Sequence, residues 1–167
     1  MSHALQSSSS PARQHHPQAS HELMHGPAIP PSGIPSEKHI LAFYDRSLRA
    51  DRAVEKAIHM ARASKANLYV LAIPPDNDKS GSDMASVRAR MMNDLRAIAR
   101  MGRRLGVAID GNFIAAPALP DIQTVIENQH IDTVMLVHRN HADHPSPNER
   151  LLGELAAHCP VQLAMVD

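Results

Sequence analysis

The chain is short of the residues that usually announce a function. It has no tryptophan, only two tyrosines and two phenylalanines, and nine methionines. A core of aliphatic chains and adaptable thioethers is expected, and stacking platforms for single-stranded nucleic acid are effectively absent. One cysteine, Cys159, leaves no intrachain disulfide and no multi-cysteine zinc site, which fits a reducing compartment. Neither sign of charge is in excess, with 17 Lys and Arg against 17 Asp and Glu, so no global field would gather nucleic acid or an anionic membrane. No apolar run approaches the roughly 18 residues of a membrane span, and Met1 to Ser10 lacks the apolar h-region of a signal peptide. These absences together predict a soluble, cytoplasmic protein with neither nucleic acid nor membrane as partner.

What is present is ordinary globular material, 167 residues with 43% hydrophobic and 20% charged, enough for one domain and a tail. Residues 1–37 mix Ser, Pro, Gln and His, including the run Ser7 to Ser10 and the pair Pro30-Pro31, without apolar periodicity. Such a segment cannot bury enough surface to offset its ordering entropy, so a disordered tail is predicted there. The domain is expected over residues 38–167.

From Lys38 onward short apolar runs alternate with amphipathic stretches, the pattern of βαβ units and a parallel sheet. Strands are predicted at His39 to Tyr44, Leu68 to Ile73, Val107 to Ile114, Thr133 to Val137 and Val161 to Val166. Between them, Ala50, Ala53, Val54, Ala57, Ile58 and Ala61 mark one face of a helix over Leu48 to Ala63. Met84, Val87, Met91, Leu95 and Ile98 stripe a longer helix over Asp83 to Leu105, with Gly106 as its stop. Pro120 opens a short third helix. Ser146-Pro147-Asn148-Glu149 reads as a capping box with proline at the first helical position of a fourth. Strict alternation of five strands and four helices predicts an α/β three-layer, doubly wound domain.

The opening Ile40-Leu41-Ala42-Phe43-Tyr44-Asp45-Arg46-Ser47, the Ala-rich first helix, the second strand ending in Pro74-Pro75, and Cys159-Pro160-Val161 before the last strand resemble the universal stress protein family. The resemblance spans Lys38 to Asp167. It implies an adenine nucleotide alpha hydrolase-like parallel sheet of order 3-2-1-4-5. It also implies a homodimer through the last strand, residues 161–166, in a cytoplasmic protein of stress survival. Family members that bind ATP carry Gly-x-x-Gly, nine residues, then Gly and Ser or Thr after the fourth strand, so that backbone N–H groups close around phosphates at a helix N-terminus.

That motif is broken in this chain. Its first two glycine positions fall on Val137 and Asn140, around His138 and Arg139. With Gly153 as the third glycine, twelve residues intervene and Glu154 replaces the hydroxyl. Aligned instead by the apolar stripe Leu151, Leu152, Leu155 and Ala156, the chain puts Glu149 and Arg150 at the Gly-Ser positions after a gap of eight. Either register brings a carboxylate to where phosphate approaches, and the grip is expected to be lost. Asp45 survives at the position where nucleotide binders hold a carboxylate near the nucleoside; its alternative role is to open the turn into the first helix.

His138, His141 and His144, with Asp143 among them, offer imidazoles suited to zinc, nickel or copper. Cys159 before Pro160 reads as structural. His130 and His158 sit at helix ends, where a cation meets the helix dipole favourably. Neither a Gly-x-Ser-x-Gly elbow nor a Gly-x-x-x-x-Gly-Lys-Ser/Thr loop is present, so the residues offer no catalytic set and the chain is expected not to be an enzyme. Three readings follow: a dimeric, non-enzymatic stress or regulatory module with a degenerate ATP site and unidentified protein partners; an adenine-nucleotide binder, with ATP as a possible ligand, using Asp45 and the 138–150 loop; and a metal-responsive protein using His138, His141 and His144.

Overall fold

The computed structural model describes residues 37–75, 83–137, 146–158 and 161–166. Five strands, β1 (His39–Tyr44), β2 (Asn67–Ala72), β3 (Ile109–Phe113), β4 (Thr133–Val137) and β5 (Gln162–Val166), alternate with α1 (Leu48–Ser64), α2 (Met84–Arg104), α3 (Leu119–Asn128) and α4 (Pro147–His158). All strand pairs are parallel and the order is β3-β2-β1-β4-β5. The expected fold and order hold. β2 begins one residue earlier than its apolar run, at Asn67, and β3 is shorter than the alternating stretch that announces it.

β1 lies in the middle because it is apolar on both faces; Ile40 to Tyr44 are all buried. Helices cover it from both sides. On one side Ile40, Ala42, Val70 and Ala72 pack with α1 and α2, and on the other Leu41, Phe43, Leu71, Ile73, Val134 and Leu136 pack under α3 and α4. The alanines of α1 remove side-chain bulk from its buried face and let the helix lie close on the sheet, while Val87, Met91 and Leu95 perform the same burial for α2.

Helix ends follow local chemistry. The Ser47 hydroxyl accepts the Ala50 N–H at 3.1 Å to start α1, which stops where Lys65 turns left-handed at φ 53°. Asp83 starts α2 by accepting the Ala85 and Ser86 N–H groups, and the Ser86 hydroxyl and then the Ala85 amide hold its carboxyl below the usual range. Gly106, at φ 74°, turns the chain after α2. α3 starts at Leu119, one residue before Pro120, with the Asp121 carboxylate accepting the Ala118 N–H at 3.0 Å. At α4 the capping box forms in both directions: Glu149 N–H donates to Ser146 Oγ at 3.3 Å, and Ser146 N–H donates to Glu149 Oε2 at 2.6 Å.

Candidate functional site

In an open parallel sheet a ligand sits beyond the carboxyl ends of the strands, where the strand order reverses. Here that point lies between β1 and β4, and the segments reaching it are the β1–α1 turn, the end of β2 and the start of α4. They enclose a crevice lined by Phe43, Asp45, Ser47, Arg49, Ala50, Ile73 and Leu152. Its volume is about 20 Å³, room for about one water.

The β1–α1 turn is held from several directions. Asp45 Oδ1 accepts the Ser47 N–H at 3.0 Å, closing an Asx turn, and Ser47 in turn caps α1. Asp45 thus opens the turn into the helix, and it also lines the crevice. Arg46 between them is left-handed at φ 65°, a costly conformation for a residue with a side chain. Its guanidinium pairs with Asp94 Oδ2 at 3.0 Å, fastening the turn to α2. Tyr44 also reaches Asp94 Oδ2, at 3.5 Å, and its phenol is pushed up to about 12 by burial first and then by the Asp94 carboxylate.

α4 closes the crevice from the other side. Asn148 is 1% exposed, and its Nδ2 donates to the Pro74 carbonyl at 3.1 Å, which ties the helix start to the end of β2 and brings Leu152 over the crevice. Glu149 and Arg150 occupy the first turn of this helix, where phosphate would approach, and the Glu149 carboxylate is engaged there with the Ser146 N–H. Gly153 lies exposed farther along the helix, with open space around it, and so does not stand at the helix start. Val137 ends β4 beside Val166. His138, Arg139, Asn140, His141 and His144 lie outside the described residues, as do Cys159 and residues 1–36 of the predicted tail. Among the described residues no group of three His, Cys, Asp or Glu is gathered for a metal.

Arg49, Ile73 and Leu152 are crevice residues that the sequence patterns did not single out. For Arg49 a signal was available: it stands four residues after Asp45 across the Ser47 cap, which returns its side chain to the same end of the sheet. The first turn of α4 presents the Glu149 carboxylate, and Leu152 lines the crevice beside it.

At the ends of the last helices the two histidines differ. His158 Nδ1 meets the Glu154 carbonyl at 2.9 Å in the final turn of α4, whereas His130 leaves α3 in a left-handed conformation, φ 49°.

A model of the universal stress protein family matches residues 37–161. Among solved structures, a universal stress protein family member from Burkholderia pseudomallei is 18% identical with a TM-score of 0.60, over 77% of this chain and 95% of that one. A universal stress protein from Archaeoglobus fulgidus in complex with dAMP is 14% identical with a TM-score of 0.58, over 78% and 98%. A universal stress protein in complex with cAMP is 16% identical with a TM-score of 0.55, over 78% and 96%. A search of curated proteins gives no match. With the 3-2-1-4-5 sheet in place and the family match running from before the first strand to the residue preceding the last, this chain belongs to the universal stress protein family.

Proposed function

We propose that the protein is a dimeric, non-enzymatic regulatory module of the stress response whose nucleotide crevice has lost its grip on phosphate. The observation that carries this reading is Glu149, whose carboxylate occupies the N-terminal turn of α4 in a reciprocal capping box with Ser146. The box satisfies the Ser146 and Glu149 N–H groups, and its carboxylate offsets the dipole that would otherwise receive an anion. The dimer is supported by the β5 edge, where Met165 is 56% exposed. The single Cys159 supports placement in the reducing cytoplasm. Titration of the purified chain with Mg-ATP, joined to mass spectrometry of any small molecule released on denaturation, tests the reading. Absence of binding at millimolar ATP is expected, and a co-purified adenine nucleotide would overturn it.

A second reading, a nucleotide binder, is favoured by the presence of both Asp45 and Arg49 in the lining of one crevice. Relatives of the same fold have been solved with dAMP and with cAMP. In that case Asp45 would accept hydrogen bonds from a nucleoside and Arg49 would offer a cation to a monophosphate, after Leu152 moved aside. AMP binding that vanishes in Asp45→Ala would establish this alternative.

A further inference from the structure

The amino ends of the strands lie at the opposite end of the sheet from the crevice. There His39, Asn67, Leu68, Tyr69, Ala108, Ile109, Asp110, Gln129 and Ile131 line a cavity of about 290 Å³, close to the lower limit of about 300 Å³ typical for small-molecule pockets. Side chains alternate along a strand, so His39, Asn67 and Tyr69 project from the face that carries Leu41 and Leu71, the face under α3 and α4. The β2–β3 register sets Asp110 directly beside Tyr69 on that face.

The floor of the cavity is fixed by a hydrogen-bond chain. His39 Nδ1–H donates to the Gln129 carbonyl, which leaves Nε2 as an acceptor for Asn67 Nδ2 at 3.3 Å. Asn67 Nδ2 also donates to Glu37 Oε2 at 3.0 Å, so β1, β2 and the end of α3 are locked together. Asp110 is held as well: its Oδ1 accepts the Gly111 N–H at 2.7 Å, leaving Oδ2 available.

The only formal charge among the lining residues is the Asp110 carboxylate, since no Lys or Arg contributes to the wall. The C-terminal end of α3, with its partial negative charge, arrives at Gln129. The Tyr69 ring offers a π face beside the carboxylate, and its phenol is pushed up by burial and by Asp110, a sign that it lies within that carboxylate's field. Ile131 and the ring provide apolar surface, so one carboxylate in a partly apolar cavity fits an organic ion better than a bare metal.

We propose that this cavity binds a small organic cation, a primary ammonium or guanidinium on a short hydrocarbon stem. The head would pair with Asp110 against the Tyr69 ring and the stem would lie toward Ile131.

The test is a methyl and amide NMR titration of the full chain with n-butylammonium and n-butylguanidinium, with butan-1-ol as the neutral probe of equal length. Saturable shifts at Tyr69, Asp110, Gln129 and Ile131 are expected for both cations and not for the alcohol. Asp110→Asn keeps an amide oxygen for the Gly111 N–H and should weaken binding about tenfold, or ~1.4 kcal/mol. Tyr69→Leu should weaken it less, and a crevice variant, Asp45→Ala, should leave it unchanged. The proposal fails if the cations give no saturable shift up to about 50 mM, a limit corresponding to negligible affinity. It also fails if Asp110→Asn binds as well as the parent, or if butan-1-ol shifts the same residues equally.

Discussion

β3 (IDGNF) and β5 (QLAMV) both terminate the sheet, and their outward backbone is treated in opposite ways. On β3 the donation of Ile114 N–H to Ala72 O places every second N–H toward β2, which leaves those of Ile109, Gly111 and Phe113 facing out. Two of these three are taken by the strand's own side chains: Gly111 N–H donates to Asp110 Oδ1 at 2.7 Å and Phe113 N–H to Asn112 Oδ1 at 2.8 Å. On β5 the donation of Gln162 N–H to Asp132 O turns the Leu163 and Met165 N–H groups outward. The residues there, Leu163, Ala164 and Met165, carry no side-chain acceptor. One edge thus carries its own guards against strand addition, and among the described residues the other carries none.

The strongest way to break this contrast is at β5. Proline at Leu163 or Met165 removes an outward N–H while sparing the N–H groups that bind β4, so Met165→Pro should halve the mass measured by light scattering with the β4–β5 pair intact. An unchanged mass would count against β5 as a contact between copies. The reciprocal change comes next: Asp110→Ala with Asn112→Val strips both guards from β3, and sedimentation should then show species above the dimer. A chain of unaltered size would mean that these hydrogen bonds do not protect the edge.

A smaller effect separates the edges by packing. A Cβ on Gly111 would lie 2.5 Å from the Val70 carbonyl oxygen, a backbone atom that cannot turn aside. Gly111→Ala should therefore push β3 from β2 and cost about 1–3 kcal/mol in thermal or urea unfolding. At the opposite edge Ala164 already carries the methyl that β3 cannot accommodate.

Much of this was legible in the residues, for reasons particular to each element. Continuous apolar runs announced β1 and β4 because both are buried on two faces, and Ser146-x-x-Glu149 announced the start of α4 because a capping box is local chemistry. The alanine stripe placed α1 within one residue of its end. The unread features all depend on register or on distant partners. Arg46 meets Asp94 across 48 residues of chain by the numbering of the pair, Asn148 meets Pro74 across 74, and neither partner is marked by periodicity. The guards on β3 were hidden because Asp110 and Asn112 read as the polar half of an alternating strand; only the register reveals which N–H groups face out. Likewise Arg49 reads as an exposed helix residue until the Ser47 cap fixes where the first turn of α1 points.

The finest test concerns Asp110, which serves both the edge and the cavity beside it. Its carboxylate, after burial, raises the Tyr69 phenol above the ordinary value of 10.0. The unfolded chain then releases this proton first, so the stability contributed by the neutral phenol is complete below pH 10 and is lost as pH rises into the folded group's range. Asp110→Asn removes the second cause and keeps the first, and its amide oxygen still accepts the Gly111 N–H. Tyr69 should therefore titrate lower in this variant, with the assembly state unchanged. Since the chain has two tyrosines, ultraviolet titration of tyrosinate in a Tyr44→Phe background reads Tyr69 alone. An unmoved titration would show that the Asp110 charge is directed away from the ring, leaving the carboxylate a guard of the edge and removing the electrostatic basis of the cavity.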